Sequence, residues 1–342
     1  MNILIIGGAG FIGCNTADHY LKKGSSVTVF DNFSRKGTEQ NLRWLQSNHP
    51  NVQVVRGDIR KDNALLQQSV ERADVVFHFA AQVAVTTSVI NPREDFEINA
   101  LGAFNVLESI RLSTSKPILV FASTNKVYGG MENVQTEEGD RRFSYVNLPN
   151  GCSEKQPLDF HSPYGCSKGA ADQYVRDYAR IYGLKTIVFR QSCIYGYRQF
   201  GIEDQGWVAH FTISAALGRP VTVYGNGKQV RDLLFTTDLV NAYDLAIQKI
   251  DVTAGQVYNI GGGPDKTLSL LELMEFLETS FKKKMNSSFS TWRPGDQPVF
   301  ICDIRKAKAE FGWEPNVGVK EGIALLADWV KGNTKEFEAI YF

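Results

Sequence analysis

Residues 2–24 read NILIIGGAGFIGCNTADHYLKKG: an apolar run, a glycine-rich turn and then a helix-like stretch. The glycines stand at Gly7, Gly10 and Gly13. This spacing lets the backbone turn tightly, approach a pyrophosphate and bring a helix N-terminus onto it, with Phe11 and Ile12 opening that helix. A glycine motif alone says little. Here the next apolar run, SVTVF (26–30), ends at Asp31, 18 residues after Gly13. A carboxylate at that point can accept both hydroxyls of an adenosine ribose, so loop and acid together predict a dinucleotide site. Asp31 would repel the 2′-phosphate of NADP, and NAD is the expected cofactor. Arg35 and Lys36 pull the other way. Asn32, Ser34 and Arg35, which share the loop DNFSRKG, join the predicted cofactor-binding set.

Working outward, further apolar runs recur at VQVV (52–55), DVVFHF (74–79), PILVFAS (117–123), KTIVFR (185–190) and QVYNI (256–260). Such runs, separated by helical stretches, predict parallel strands buried on both faces. The expected fold is α/β, a doubly wound parallel Rossmann sheet with ligands at the carboxyl ends of its strands. Gly57 and Asp58 could bring a carboxylate to the adenine, or Asp58 could simply cap a turn. FAAQVAV (79–85), with Ala80 and Gln82, offers small residues beside a cofactor's ribose, or tight packing of strand on helix. After about residue 190 the regularity loosens. The expected division is 1–190 for cofactor binding and 191–342 mainly for a smaller, interleaved substrate lobe, with a segment near 230–260 returning to the sheet.

Lys+Arg and Asp+Glu are both 37, so nothing suggests bulk attraction to nucleic acid or to an anionic membrane. The five cysteines (14, 152, 166, 193 and 302) form no C-x-x-C pair. They read as thiols in a reducing compartment, not as a disulfide frame or a metal site. No apolar run reaches the ~18 residues of a membrane span, and the N-terminus lacks the basic start of a signal peptide. A cytoplasmic location is expected. The stretch 94–112, EDFEINALGAFNVLESIRL, is apolar on more than one face. One face can cover the sheet, and the second predicts a twofold-related subunit or a crossing helix of the same chain. A homodimer or homotetramer follows from the first choice.

The stretch FHSPYGCSKGAADQY (160–174) sets Tyr164 and Lys168 four residues apart behind Ser162, a candidate cap, and Pro163. Residues at i and i+4 share a helix face, so phenol and amine can address one spot. An adjacent cation favours the ionised phenol, which makes the pair a candidate proton-transfer device.

These features resemble the extended short-chain dehydrogenase/reductase family, the NAD-dependent epimerases and dehydratases of nucleotide sugars. GGAGFIG, Asp31, Asp58-Ile59, Asn99, STNKVYG (123–129), Tyr164-x-x-x-Lys168 and GNGKQVRD (225–232) carry the resemblance in order along most of the chain. It implies that Tyr164 transfers the proton, that Lys168 holds the nicotinamide ribose and lowers the tyrosine pKa, and that Thr124, aided by Ser123, binds the sugar hydroxyl. It also implies that Ile59 and Asn99 serve the cofactor. The family's dehydratases carry an acidic pair after the threonine, where this chain has Asn125-Lys126. An amide and an ammonium group cannot run that elimination, so removal and return of hydride is what remains.

Within the family, DNFSRKG, STNKVYG, QPLDFHSPYGCSKGAADQY, YARIYGL, DQGW and GNGKQVRDLL resemble enzymes that act at C2 of a CDP-linked hexose, on the way to a dideoxyhexose of lipopolysaccharide. Gln82 and Gln191-Ser192 stand where relatives acting at C4 often differ. The resemblance puts Arg231 and Arg293 near the substrate diphosphate, with pairing to Asp232 or Asp296 as the alternative. A UDP-hexose 4-epimerase is the second reading. A non-catalytic NAD-binding regulator is the third, opposed by the intact Thr124, Tyr164 and Lys168.

Overall fold

In a computed structural model, which describes residues 1–293 and 295–341, the seven apolar runs form one sheet. Its strands are β1 (Asn2–Ile6), β2 (Ser26–Asp31), β3 (Gln53–Arg56), β4 (Val75–His78), β5 (Ile118–Thr124), β6 (Thr186–Gln191) and β7 (Gln256–Ile260). All neighbours are parallel, in the order β7-β6-β5-β4-β1-β2-β3. The doubly wound α/β fold expected from the alternation is the fold observed. The chain winds outward from β1 to β3 and then returns to pair β4 on the other side of β1. Between β1 and β4 the winding reverses, and a crevice opens at their carboxyl ends.

Alternation explains why the runs are apolar throughout. Ile3, Ile5, Val29, Phe77 and Phe189 point to one face, and Leu4, Ile6, Phe30, Val76 and Val188 to the other. Helices α1 (Phe11–Lys22), α2 (Thr38–Asn48) and α5 (Thr236–Gln248) cover the first face through Ala17, Tyr20, Leu45 and Tyr243. Helices α3 (Gly102–Leu112) and α4 (Ser162–Tyr182) cover the second through Val106, Leu107, Ile110 and Val175. The helical stretch ending in α3 contains a single π-type segment at Glu97–Leu101. Its outer face leaves Phe96, Leu101 and Phe104 exposed, beside exposed Tyr174, Ile181 and Tyr182 of α4.

In the smaller lobe the strand 230–235 pairs with 193–195, 267–269 and 299–300, over a core that includes Val208, Phe211, Leu273 and Leu326. The chain does not finish one lobe before starting the other. Residues 236–260 supply α5 and β7 to the large sheet, and Ala307, Phe311 and Trp313 come back later to the same core. In the other direction, Tyr128, Met131 and Cys152 pack on Phe300 and Cys302, and Phe143 donates its backbone N–H to Lys228 at 2.9 Å. Among the described residues no helix is long and apolar enough to cross a membrane.

Candidate active site

The crevice at the strand ends is lined by Gly7, Gly10, Phe11, Ile12 and Gly13, by Asp31, Asn32, Ser34 and Arg35, by Asp58, Ile59 and Ala80, and by Ser123, Thr124, Tyr164, Lys168 and Gln191. Most of the residues singled out from sequence therefore share one cleft. Gly7 has φ +80°, and a Cβ there would come within 2.5 Å of the Ala80 backbone nitrogen. At Gly13 a Cβ would meet the Gly7 oxygen at 2.3 Å, so any side chain would push α1 off the loop. Gly10 caps α1 without a side chain, and the first turn contains no acidic residue. The N–H groups at this helix start are thus free to meet an anion.

Asp31 is 8% exposed at the end of β2. Its two oxygens accept from the backbone N–H groups of Ala9 (3.0 Å) and Phe33 (2.8 Å). Burial raises its pKa, and those two bonds oppose the rise. Asp58 accepts from Arg60 at 2.6 Å, and this ion pair holds its carboxyl at about 2. It also accepts from Asn32 at 3.3 Å, so the turn aspartate and the lining residue are one and the same group. Arg35 reaches across to the smaller lobe and donates to Gln205 at 3.1 Å. The cleft thus joins a helix start suited to phosphates and a buried carboxylate suited to ribose hydroxyls, and the residues present fit NAD.

Gln82 and Asn99 do not line the cleft. Asn99 is buried on the π segment, where its amide accepts from the Gln82 N–H and donates to the Gln82 carbonyl, both at 3.0 Å, and donates to Asp95 and Ser167 at 3.1 Å. Gln82 turns its own side chain back onto Ala84 and Asp95. Both residues brace the wall from behind, because their polar groups are consumed inside it. Asn41 and Arg198 line the cleft without having been anticipated. Asn41 donates to the carbonyls of Ala9 (3.1 Å) and Arg198 (3.2 Å) and accepts from Arg198 Nε at 2.9 Å. Residues 157 apart in the chain meet here, and no local pattern announces that.

Helix α4 starts as its sequence suggests. Ser162, with φ +64°, accepts from the Gly165 N–H at 3.2 Å, and Pro163 occupies the first turn. Tyr164 is 8% exposed, with its backbone N–H on Ser88 at 3.1 Å and its phenol on the side of Thr124. Lys168 donates to the Ala122 carbonyl at 2.6 Å and lies 4.3 Å from the centre of the Phe121 ring. Burial lowers its amine to about 8, against Asp172 and Asp95.

Burial dominates the electrostatics of Tyr164 in the protein by itself. The Tyr164 phenol is pushed up to about 12 by burial, with Asp95 adding to the rise and Thr124 and Arg35 opposing it. In the protein by itself desolvation outweighs any help from a neighbouring cation, and Lys168 is directed to a carbonyl.

Ser123 donates to buried Asp172 at 2.7 Å, and Asp172 forms a two-point ion pair with Arg190, both bonds 2.9 Å. Arg190 continues to the Tyr128 hydroxyl at 3.1 Å, which donates to Asn259 at 2.7 Å. This chain of bonds ties β5, β6, β7 and α4 together beneath the catalytic end. Gln191 donates to Tyr243 at 2.6 Å. Arg231 pairs with Asp296 at 2.5 Å, not with its neighbour Asp232. Arg293 pairs with Asp204 at 3.0 Å, not with Asp296, and lies 3.9 Å from the centre of the Tyr224 ring. Both arginines belong to the smaller lobe and do not line the cleft around Tyr164.

Residues 4–326 match the family described as GDP-mannose 4,6 dehydratase. The chain is 46% identical over 335 residues to the CDP-paratose 2-epimerase of Salmonella typhi, covering 96% of this chain and 99% of that protein. Among solved structures, UDP-glucose 4-epimerase from Thermotoga maritima with UDP-glucose superposes with a TM-score of 0.84 at 31% identity, over 98% of this chain and 100% of that one. The Thermus thermophilus UDP-glucose 4-epimerase in complex with NAD gives 0.82 at 32% identity, over 97% and 100%. With a glycine loop, an acidic strand end and a Thr124–Tyr164–Lys168 set in one cleft, and with this likeness spanning nearly its whole length, the chain belongs to the NAD-dependent epimerase and dehydratase family of nucleotide-sugar enzymes.

Proposed function

We propose that this enzyme inverts C2 of a CDP-linked dideoxyhexose, interconverting CDP-paratose and CDP-tyvelose in the cytoplasm for lipopolysaccharide synthesis. The observation that carries the reading is the 46% identity to a CDP-paratose 2-epimerase, extended over 96% of the chain. The site's chemistry supports it. Thr124 is followed by Asn125-Lys126, so the acid and base pair of an elimination is missing there, and one phenol serves the reacting hydroxyl.

Bound NAD supplies the hydride acceptor and a positive ring that favours ionisation of a nearby phenol. Gly7, Gly10 and Gly13 would hold its diphosphate, Asp31 its adenosine ribose, and Lys168 the ribose at the other end. Tyr164 takes the proton of the C2 hydroxyl and later returns it, while Thr124 orients the same oxygen. Arg231 and Arg293 would leave their present partners for the substrate diphosphate, which suits their planar donors. The exposed faces of α3 and α4 would meet a second copy in a homodimer.

CDP-paratose incubated with the enzyme in D₂O is expected to give the C2 epimer without deuterium at C2, as read by NMR. Deuterium there would mean proton exchange at carbon and would rule out hydride return. A UDP-hexose 4-epimerase is the second reading, supported by the high TM-scores of such enzymes, and turnover of UDP-glucose but not CDP-paratose would favour it.

The protein is also expected to purify with NAD bound, because the same dinucleotide must serve both half-reactions. Denaturation followed by chromatography of the released nucleotide checks this. Recovery of mainly NADP would remove Asp31 from its assigned role.

A further inference from the structure

Lys126 is the residue that the mechanism above leaves unused. It sits on the short 3₁₀ turn Asn125–Tyr128, directly after β5, and its backbone N–H donates to the Thr124 hydroxyl at 3.3 Å. Its side chain runs to the smaller lobe. Among the described residues its hydrogen-bond partner is the Gly295 carbonyl at 3.1 Å, with Asp296 farther off at 3.9 Å.

Asp296 is already engaged at 2.5 Å by Arg231 and also accepts from the Gln297 N–H at 3.1 Å. Asp232 gives no compensation. Its carboxylate is turned onto Ser192 and onto the backbone N–H groups of Gly263 (3.1 Å) and Cys302 (3.2 Å). Two cations therefore face one carboxylate at the junction of the lobes. The Lys126 side chain is only 22% exposed, and burial lowers its amine to about 8, with Arg231 adding to the fall and Asp296 opposing it. A poorly solvated cation with no carboxylate closer than 3.9 Å among the described residues is a place for an incoming anion.

Geometry narrows which anion. The Lys126 backbone is two residues from Thr124 on the same turn, while its ammonium group lies at the smaller lobe, on Gly295, and is not among the groups lining the cleft around Tyr164. In a hexosyl diphosphate, C2 is bonded to the carbon bearing the phosphate, whereas C4 lies across the ring. We propose that Lys126 binds the phosphate on the anomeric carbon and that this contact sets C2, not C4, against Tyr164 and Thr124. The inference rests on the C2 reading given above.

The test compares CDP with CMP by titration calorimetry, using NAD-loaded wild type, Lys126→Met and Lys126→Arg. CDP ends in the phosphate that Lys126 would hold, and CMP lacks it. Lys126→Met is expected to weaken CDP binding by about 10–100-fold, the size of a hydrogen bond to a charged group, with CMP unchanged. Lys126→Arg is expected to restore most of the loss.

Products from CDP-paratose in Lys126→Met are expected to include inversion at C4. Unchanged CDP affinity overturns the phosphate contact, and weakened CDP binding with inversion still confined to C2 overturns the selection of carbon. If the wild type prefers UDP to CDP, the proposed base has failed, and UDP against UMP then decides Lys126 in the same way. Should Lys126→Met lose its NAD, Lys126→Gln takes its place in the comparison.

Discussion

Tyr164→Phe is expected to remain folded, to keep its bound NAD and to lose at least about 10²-fold in kcat, the usual contribution of a positioned acid or base. The ring stays, and so does the backbone bond from residue 164 to Ser88. What disappears is the hydroxyl beside Thr124, the group proposed to move the proton. Stopped assays with the nucleotide content of each preparation measured in parallel separate chemistry from cofactor loss. Lys168→Met provides the contrast, since it should harm activity and NAD content together. A Tyr164→Phe enzyme with full kcat would move the proton transfer to another group.

Asp172→Ala is expected to cost about 3–5 kcal/mol of stability, the range for removing one partner of a buried ion pair. Arg190 is 2% exposed and Asp172 0%, so the guanidinium left behind cannot be rehydrated without opening the sheet. The Tyr128 hydroxyl would be its remaining side-chain partner, and Ser123 would lose its acceptor. Urea denaturation followed by circular dichroism gives the number. Changing both members, Asp172→Leu with Arg190→Met, should recover much of the loss, because apolar residues of similar volume satisfy such a site. A loss below about 1 kcal/mol for the single change would mean that water reaches the pair, contrary to its burial.

How far the sequence could be read follows from how local each feature is. The strands were legible because burial on both faces leaves unbroken apolar runs, and QVYNI was assigned to the sheet although it lies some 65 residues beyond its neighbour in the chain. The glycine loop was legible because a backbone too close for a Cβ leaves a mark on residue type, and Asp31 because an acid at the end of the next apolar run is a local signal. Gln82, from the run FAAQVAV, and Asn99, from the family resemblance, were expected at the cofactor, whereas hydrogen bonding within the wall turns their amides inward. The desolvation of Tyr164 was not legible, because spacing reveals which charges are near and not how much water has been excluded. Arg198 could not be anticipated at all. Its place beside Asn41 is created by the docking of one lobe on the other.

The repeated passage of the chain between lobes bears on how such an enzyme can change its substrate. A specificity module joined by a single linker could be exchanged by one recombination event. Here a foreign segment beginning at residue 191 would bring its own β7 and the Ala307–Trp313 segment into the resident cofactor sheet, while Tyr128, Met131 and Cys152 of the resident chain would have to fit the newcomer's core. Such a chimera must match at several buried seams simultaneously. Divergence by point changes at residues facing the sugar nucleotide is the route this architecture leaves open, and horizontal shuffling of half-genes is the route it closes.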